Sequence, residues 1–324
     1  MKKCAVVYNP ISGKKIKYDF LPKFKQILND NDYEVEIITT EYKGHAIEII
    51  KKLSYRDLVI SIGGDGTFNE AVTGNYQREE KLVLAHLPVG TTNDIGKMFG
   101  YGKNIIENLK ITLKGTVKNV DICLINGRPF VYVAGLGKFV TVAYETPRYL
   151  KKKIGYLAYL IEGIKDFFKP VKLYNLTYEI NGIEKTGYYS FMLISNANRI
   201  AGINNFYKDV KLDDNEFEVL LCNFRNRIDI IKTLKLLTTN DINKVSGLEF
   251  YKTDKIKLKF ANYPDKSWCI DGEKLDRSKL NYTVSIINDF EILMPTTYND
   301  ELFVKKEGNW LLQFLFPFPL TDKE

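Results

Sequence analysis

Over residues 1–120 one local pattern repeats: a short apolar run closes on a loop of glycine, hydroxyl or amide residues, and a helix-like stretch follows. Cys4–Tyr8, Tyr33–Thr39, Asp57–Ile62 and Leu82–Leu87 read as strands, and Phe20–Leu28, His45–Leu53 and Phe68–Gly74 carry helical spacing between them. Alternation of this kind predicts a mostly parallel sheet with helices on its faces. In such a sheet the loops at the carboxyl ends of the strands open into one crevice.

Three of those loops carry chemistry. Gly63-Gly64-Asp65-Gly66-Thr67 follows Leu58–Ile62, so its glycines let backbone N–H groups approach an anion, with the Asp65 carboxylate among them. Alone, this is also what a tight turn looks like. Asn9-Pro10-Ile11-Ser12-Gly13-Lys14 follows Ala5–Tyr8 and either contacts phosphate or caps the next helix; Lys14 is a phosphate partner or a solvated loop lysine. Pro88-Val89-Gly90-Thr91-Thr92-Asn93-Asp94 follows Leu82–Leu87 and sets hydroxyl and amide groups at the mouth of a third strand, with helix capping as the alternative. Together the three indicate a nucleotide site. Neither glycine loop ends in Gly-Lys-Ser/Thr, which excludes a Walker A loop. The dinucleotide fingerprint also fails, because Asn69 follows Gly64 and Gly66, and Val140 follows Gly135 and Gly137, where a third glycine belongs.

Beyond Val120 the texture becomes short β-type runs: Pro129–Ala134, Leu173–Ile180, Tyr188–Ser195, Phe217–Cys222, Lys255–Phe260, Tyr282–Ile287 and Phe290–Met294. Asn126-Gly127, Asn181-Gly182 and Asp271-Gly272 mark tight turns. The expected fold is an α/β nucleotide-binding domain (1–122) with a mostly parallel sheet, and a larger β-rich sandwich or half-open barrel (123–295) with helical insertions at Ile154–Phe168 and Ile228–Leu237. At 324 residues and 45% hydrophobic content the chain suits two such cores.

The formal charge of +7 is only mildly basic, and no basic stripe with interleaved aromatics appears, so nucleic acid is not an expected partner. Cys4, Cys123, Cys222 and Cys269 are scattered and read as free thiols, and the start lacks a signal-peptide core, so a cytoplasmic location is expected. The best membrane candidate, Ile154–Phe168, is too short and contains Glu162, Lys165 and Asp166, so any membrane contact should be peripheral.

Asn9–Lys14, Gly63–Glu70 and Pro88–Asp94 together resemble the diacylglycerol kinase catalytic family, most closely its soluble bacterial lipid kinases. The third motif carries the distinction, because NAD kinases share a GGDGT element without it. The weaker resemblance reaches about Pro295. It implies an ATP- and Mg²⁺-dependent kinase that converts diacylglycerol to phosphatidic acid at the inner face of the membrane, with the site between the two domains. Another lipid alcohol, such as a sphingoid base or monoacylglycerol, is the competing acceptor, and a nucleotide- or lipid-sensing homologue the non-enzymatic alternative.

The resemblance also implies residue roles. Glu273, in Ile270-Asp271-Gly272-Glu273, becomes the general base, although taken alone that tripeptide is an ordinary exposed turn. Asn9, Lys14, Thr40, Gly63, Gly64, Asp65, Gly66, Thr67, Phe68, Asn69 and Thr92 should line the ATP pocket. Asp65 either holds the catalytic Mg²⁺ or shapes its turn by accepting N–H bonds, the metal role being favoured, and Asp121 is expected to join its network. A structural Mg²⁺ is implied at the Asp214 carboxylate with main-chain oxygens of Lys211 and Glu216; Asn215 departs from the family's glycine there but tolerates the left-handed turn. The apolar tail from Thr296 to Glu324 is expected to pack back on the first domain, close a homodimer or touch lipid.

Overall fold

The computed structural model describes residues 1–12, 20–140, 165–200, 203–204, 207, 209–237, 247–275 and 279–304. β1 (Lys2–Tyr8), β2 (Tyr33–Thr39), β3 (Leu58–Gly63) and β4 (Leu84–Pro88) form the expected parallel sheet in the order β2-β1-β3-β4. All six residues of β3 are buried, as a strand covered on both faces requires. α1 (Phe20–Asn29) turns Phe24, Ile27 and Leu28 onto the sheet, and α2 (His45–Lys52) turns Ala46 and Ile50 inward. α3 (Asp65–Tyr76) packs on α2 at Gly74, where a side chain would meet the Ile47 carbonyl oxygen at 2.7 Å.

α3 begins three residues before the stretch that its spacing marks as helical. Gly64 is the extended N-cap, so Asp65, Gly66 and Thr67 are the first helical turn and not a preceding loop. Two short helices have no counterpart among the expected elements: α4 (Asp94–Met98) and α5 (Ile105–Leu113), the latter capped by Asn104 Oδ1, which accepts from Ile106 N at 3.0 Å. β5 (Thr116–Ile125) was likewise unmarked in the sequence.

The β-rich part is a sandwich. Its outer leaf continues the first sheet through β18-β15-β8-β9, with β5 and β6 (Arg128–Phe130) alongside; β8 is Tyr174–Ile180, β9 Ile183–Tyr189, β15 Lys255–Phe260 and β18 Asn281–Met294. The facing leaf runs β14-β13-β10-β7-β16-β17, made of Leu248–Thr253, Phe217–Cys222, Phe191–Ser195, Val133–Gly137, Cys269–Ile270 and Glu273–Lys274. Trp268, Tyr178, Tyr282, Phe217 and Phe130 fill the space between the leaves. β11 (Arg199–Ile200) and β12 (Ile203–Asn204) form a separate small ribbon, and α6 (Arg227–Leu237) is the helix expected at Ile228–Leu237. The helix expected at Ile154–Phe168 lies outside the described residues up to 164, as does the tail beyond Val304.

All three Asn-Gly and Asp-Gly signals are two-residue hairpins. φ is positive at both positions of Asn126-Gly127, Asn181-Gly182 and Asp271-Gly272, as type I′ turns require, and they join β5 to β6, β8 to β9 and β16 to β17. The runs at Pro129–Ala134 and Tyr188–Ser195 are each broken into parts of two strands, whereas Tyr282–Ile287 and Phe290–Met294 are one strand, β18, with a register shift between Ile287 and Phe290. β18 leaves the sandwich and lies parallel to β4 at Ile292↔Leu84, so a single strand ties the two parts together. β5 pairs with it from Thr116 to Ile125 and lends Ile122 to one core and Cys123 to the other. The four cysteines are buried and form no disulfide among the described residues, and among those residues no helix is long and apolar enough to cross a membrane.

Candidate functional site

The carboxyl ends of β1, β3 and β4 bring the three motif loops together. Asn9 closes an Asx turn, its Oδ1 accepting from Ile11 N at 3.0 Å, and its Nδ2 donates to Thr67 Oγ1 at 3.0 Å. Asn9 thereby ties the first loop to the first turn of α3. The second and third loops touch backbone to backbone: a side chain at Gly90 would meet Gly64 Cα at 2.7 Å. Thr40, buried at the end of β2, donates its N–H to the Tyr8 carbonyl at 2.8 Å. Thr92 is half-buried between β4 and α4. Phe68 turns its ring into the core, stacked on His86 at 4.8 Å and edge-on to Phe99, so only its main chain is left to face a nucleotide. Lys14 lies outside the described residues.

Asp65 caps α4. Its Oδ2 accepts from Asp94 N at 3.0 Å and its Oδ1 from Ile95 N at 3.1 Å, so the turn it shapes belongs to the third loop and not to its own glycine loop. One acceptor position on each oxygen remains for a cation. Burial, reinforced by the neighbouring Asp94 carboxylate, pushes the Asp65 carboxyl up to about 7 against the pull of the two N–H bonds. Asp94 is itself buried; Arg199 Nε donates to its Oδ1 at 2.9 Å and the Tyr132 hydroxyl to its Oδ2 at 3.3 Å.

Glu273 comes from the opposite leaf. The β16–β17 hairpin projects it onto the glycine loop, where its Oε1 lies 3.5 Å from the position a Cβ on Gly66 would take. Lys43 Nζ pairs with its Oε2 at 2.9 Å. Glu70, on α3, caps α2 by accepting from Gly44 N at 2.8 Å; burial raises its carboxyl above the ordinary range, and the nearby Glu273 charge adds to the rise. The hairpin is anchored by Asp271, whose carboxylate accepts from Asn69 Nδ2 at 2.7 Å, Val131 N at 2.7 Å, Tyr132 N at 3.0 Å and Val133 N at 2.9 Å. Asn69 therefore faces this anchor. The three backbone bonds explain why the run at Pro129–Ala134 is split: its central N–H groups serve a carboxylate and not a strand ladder.

Residues 3–125 match the diacylglycerol kinase catalytic domain. A diacylglycerol kinase of Staphylococcus epidermidis is 30% identical over 304 residues, which is 93% of this chain and 95% of that protein. The chain belongs to the diacylglycerol kinase family. A diacylglycerol kinase of Staphylococcus haemolyticus is 29% identical over 306 residues, covering 93% of this chain and 92% of the relative. The fold is shared with a crystal structure of a Bacillus anthracis diacylglycerol kinase at a TM-score of 0.74 and 23% identity, over 90% of this chain and 97% of that one. Membership makes the chain a kinase.

Asp121 is buried at β5, where its Oδ2 accepts from Asn215 N at 2.7 Å. Burial, with the Asp214 and Asp213 charges adding to it, pushes its carboxyl up to about 6 against that N–H bond. Asn215 holds the left-handed φ of 61° expected of it. Asp214 Oδ1 accepts from Glu216 N at 3.2 Å, and the Lys211 ammonium donates to the Glu301 carbonyl at 2.5 Å. Among the described residues no group of three or more His, Cys, Asp or Glu side chains gathers as a metal site. Asp94 and Asp271 sit inside motifs legible in the sequence, but nothing local gave them roles, and Lys43 lies outside those motifs. Glu70 and Tyr132 act only through the fold, and Arg199 carries no sequence signal at all.

Proposed function

We propose that this chain is an ATP- and Mg²⁺-dependent lipid kinase that transfers the γ-phosphoryl group of ATP to the hydroxyl of diacylglycerol, giving phosphatidic acid at a membrane surface it touches peripherally. The observation that carries this reading is the approach of Glu273 Oε1 to Gly66: a carboxylate from one leaf of the sandwich stands over the glycine loop at the strand ends. Phosphoryl transfer needs positioning and charge neutralisation more than covalent chemistry from the protein. The N–H groups in the half-buried first turn of α3, with Asn9, Thr67 and Thr92, would cradle the phosphates. Glu273 would orient the lipid hydroxyl and accept its proton, with Lys43 steadying the carboxylate between turnovers. The spare lone pairs of Asp65 suit Mg²⁺, which when bound neutralises charge on the transferred group.

The test is transfer of radiolabelled γ-phosphate from ATP to a panel of lipids in mixed micelles containing Mg²⁺. Labelled phosphatidic acid is the expected product. No transfer to any lipid would overturn the kinase reading, and transfer to sphingosine alone would overturn the acceptor.

A further inference from the structure

The 211–216 loop is where a diacylglycerol kinase of this kind is expected to bind a structural divalent ion, and in this chain a side chain already supplies a cation there. Lys252 stands on β14 directly across the ladder from Glu218 on β13. Its ammonium donates to the Asp209 carbonyl at 2.7 Å and lies 3.7 Å from Glu218 Oε1 and 3.8 Å from Asp214 Oδ2. Glu218 is buried, and the Lys252 side chain is only 27% exposed. The other Asp214 oxygen is occupied by Glu216 N. A dication on Asp214 Oδ2 would therefore sit beside a fixed positive charge, and the repulsion, little screened at a half-buried site, opposes its binding. These donors do not fit a divalent ion.

The cation at this loop has a large structural task. Leu212 N donates to the Leu302 carbonyl at 2.7 Å and Asp121 N to the Leu212 carbonyl at 2.7 Å. Val304 N donates to Asp213 Oδ1 at 2.7 Å, and Asn288 Nδ2 to Asn215 Oδ1 at 2.6 Å. The loop thus joins β5, the β18 bulge and the segment after β18. Its acidic residues converge, and the Lys252 ammonium stands beside two carboxylates, those of Asp214 and Glu218. We infer that the Lys252 ammonium is the structural cation of this loop, so that the fold is held there without a divalent metal.

Thermal unfolding of the full chain without nucleotide, in excess EDTA and in millimolar MgCl2, tests this. Wild-type Tm is expected to be the same in both. Lys252→Met should melt lower by about 4 °C or more in either condition, while Lys252→Arg, which keeps the charge, stays close to wild type. A wild-type Tm that falls in EDTA and recovers with Mg²⁺ would overturn the inference if the effect survives Asp65→Asn and disappears in Asp214→Asn. The opposite pattern, loss of the effect in Asp65→Asn alone, assigns the ion to the cleft and leaves Lys252 as the loop's cation. An unchanged melt for Lys252→Met would also sink it. None of these readouts depends on kinase activity, so the inference stands or falls apart from the proposed reaction.

Discussion

Glu273 and Asp65 meet the glycine loop from opposite sides and should fail differently. The Glu273 side chain meets Lys43 and the backbone at Gly66, so its removal should leave the fold and the nucleotide loops in place. Glu273→Ala is expected to lower turnover by about 10²–10⁴-fold with little change in the KM for ATP, read from steady-state kinetics. Turnover within a few-fold of wild type would remove Glu273 as base. Asp65 is tied to stability through its proton. Its folded carboxyl is pushed up to about 7 from an ordinary value of 3.8. Below both values each state is protonated; between them the unfolded chain has already released the proton that the folded chain still holds. Rising pH therefore favours unfolding across that window, and the loss is complete above it. Asp65→Asn lacks the titration. Its stability relative to wild type should rise between about pH 4 and pH 7 and then level off, measured by urea unfolding; a difference that does not vary with pH would refute the assignment.

At the scale of elements, the Asp271 anchor shows what position alone decides. One carboxylate satisfies three consecutive backbone N–H groups and the Asn69 amide, so it holds the β6–β7 break, α3 and the Glu273 hairpin in one frame. Asp271→Ala would leave three consecutive backbone N–H groups unpaired and take one of the two bonds of the Asn69 amide, and a loss of about 3 kcal/mol or more is expected in urea unfolding, together with a fall in turnover as the hairpin loosens. A cost below about 1 kcal/mol would show that the bonds are replaced by water. The elements legible in the sequence were those whose cause is local. β2, β13 and β15 match their apolar runs end to end, and the three two-residue turns follow from Asn-Gly and Asp-Gly alone. The split at Val131–Tyr132 was not legible, because its cause lies at position 271, far along the chain. The early start of α3 was hidden for another reason: glycines weigh against helix by propensity, and here they open one because the site needs bare backbone.

For the whole molecule, alternation and texture were enough to anticipate a parallel α/β part followed by a β-sandwich, and the three strand-end loops were enough to place the cleft. They did not reveal that β18 runs out of the sandwich to lie beside β4, since a pairing across the chain leaves no periodicity of its own. Nor did they show that Asp121 accepts from Asn215 N, a contact that only the path of β5 decides. The two leaves of the sandwich are closed at one edge by another long-range device. Glu249 on β14 accepts from Tyr178 on β8 at 2.5 Å, Tyr189 on β9 at 2.5 Å and Tyr251 on its own strand at 2.6 Å, with Lys185 3.9 Å away. Burial pushes this carboxyl up, but the three phenols and the Lys185 charge outweigh it and hold the group below the ordinary 4.5. A depressed acid stabilises the fold above its unfolded value and loses that contribution as pH falls through the folded one, so the clamp acts fully near neutrality and is released in acid. Glu249→Gln should therefore cost about 1–3 kcal/mol at pH 7, with the gap to wild type closing as pH falls below about 4, both read from urea unfolding across that range. A gap that stays constant into acid would mean that the two leaves are held at this edge by the tyrosine rings and not by the carboxylate they surround.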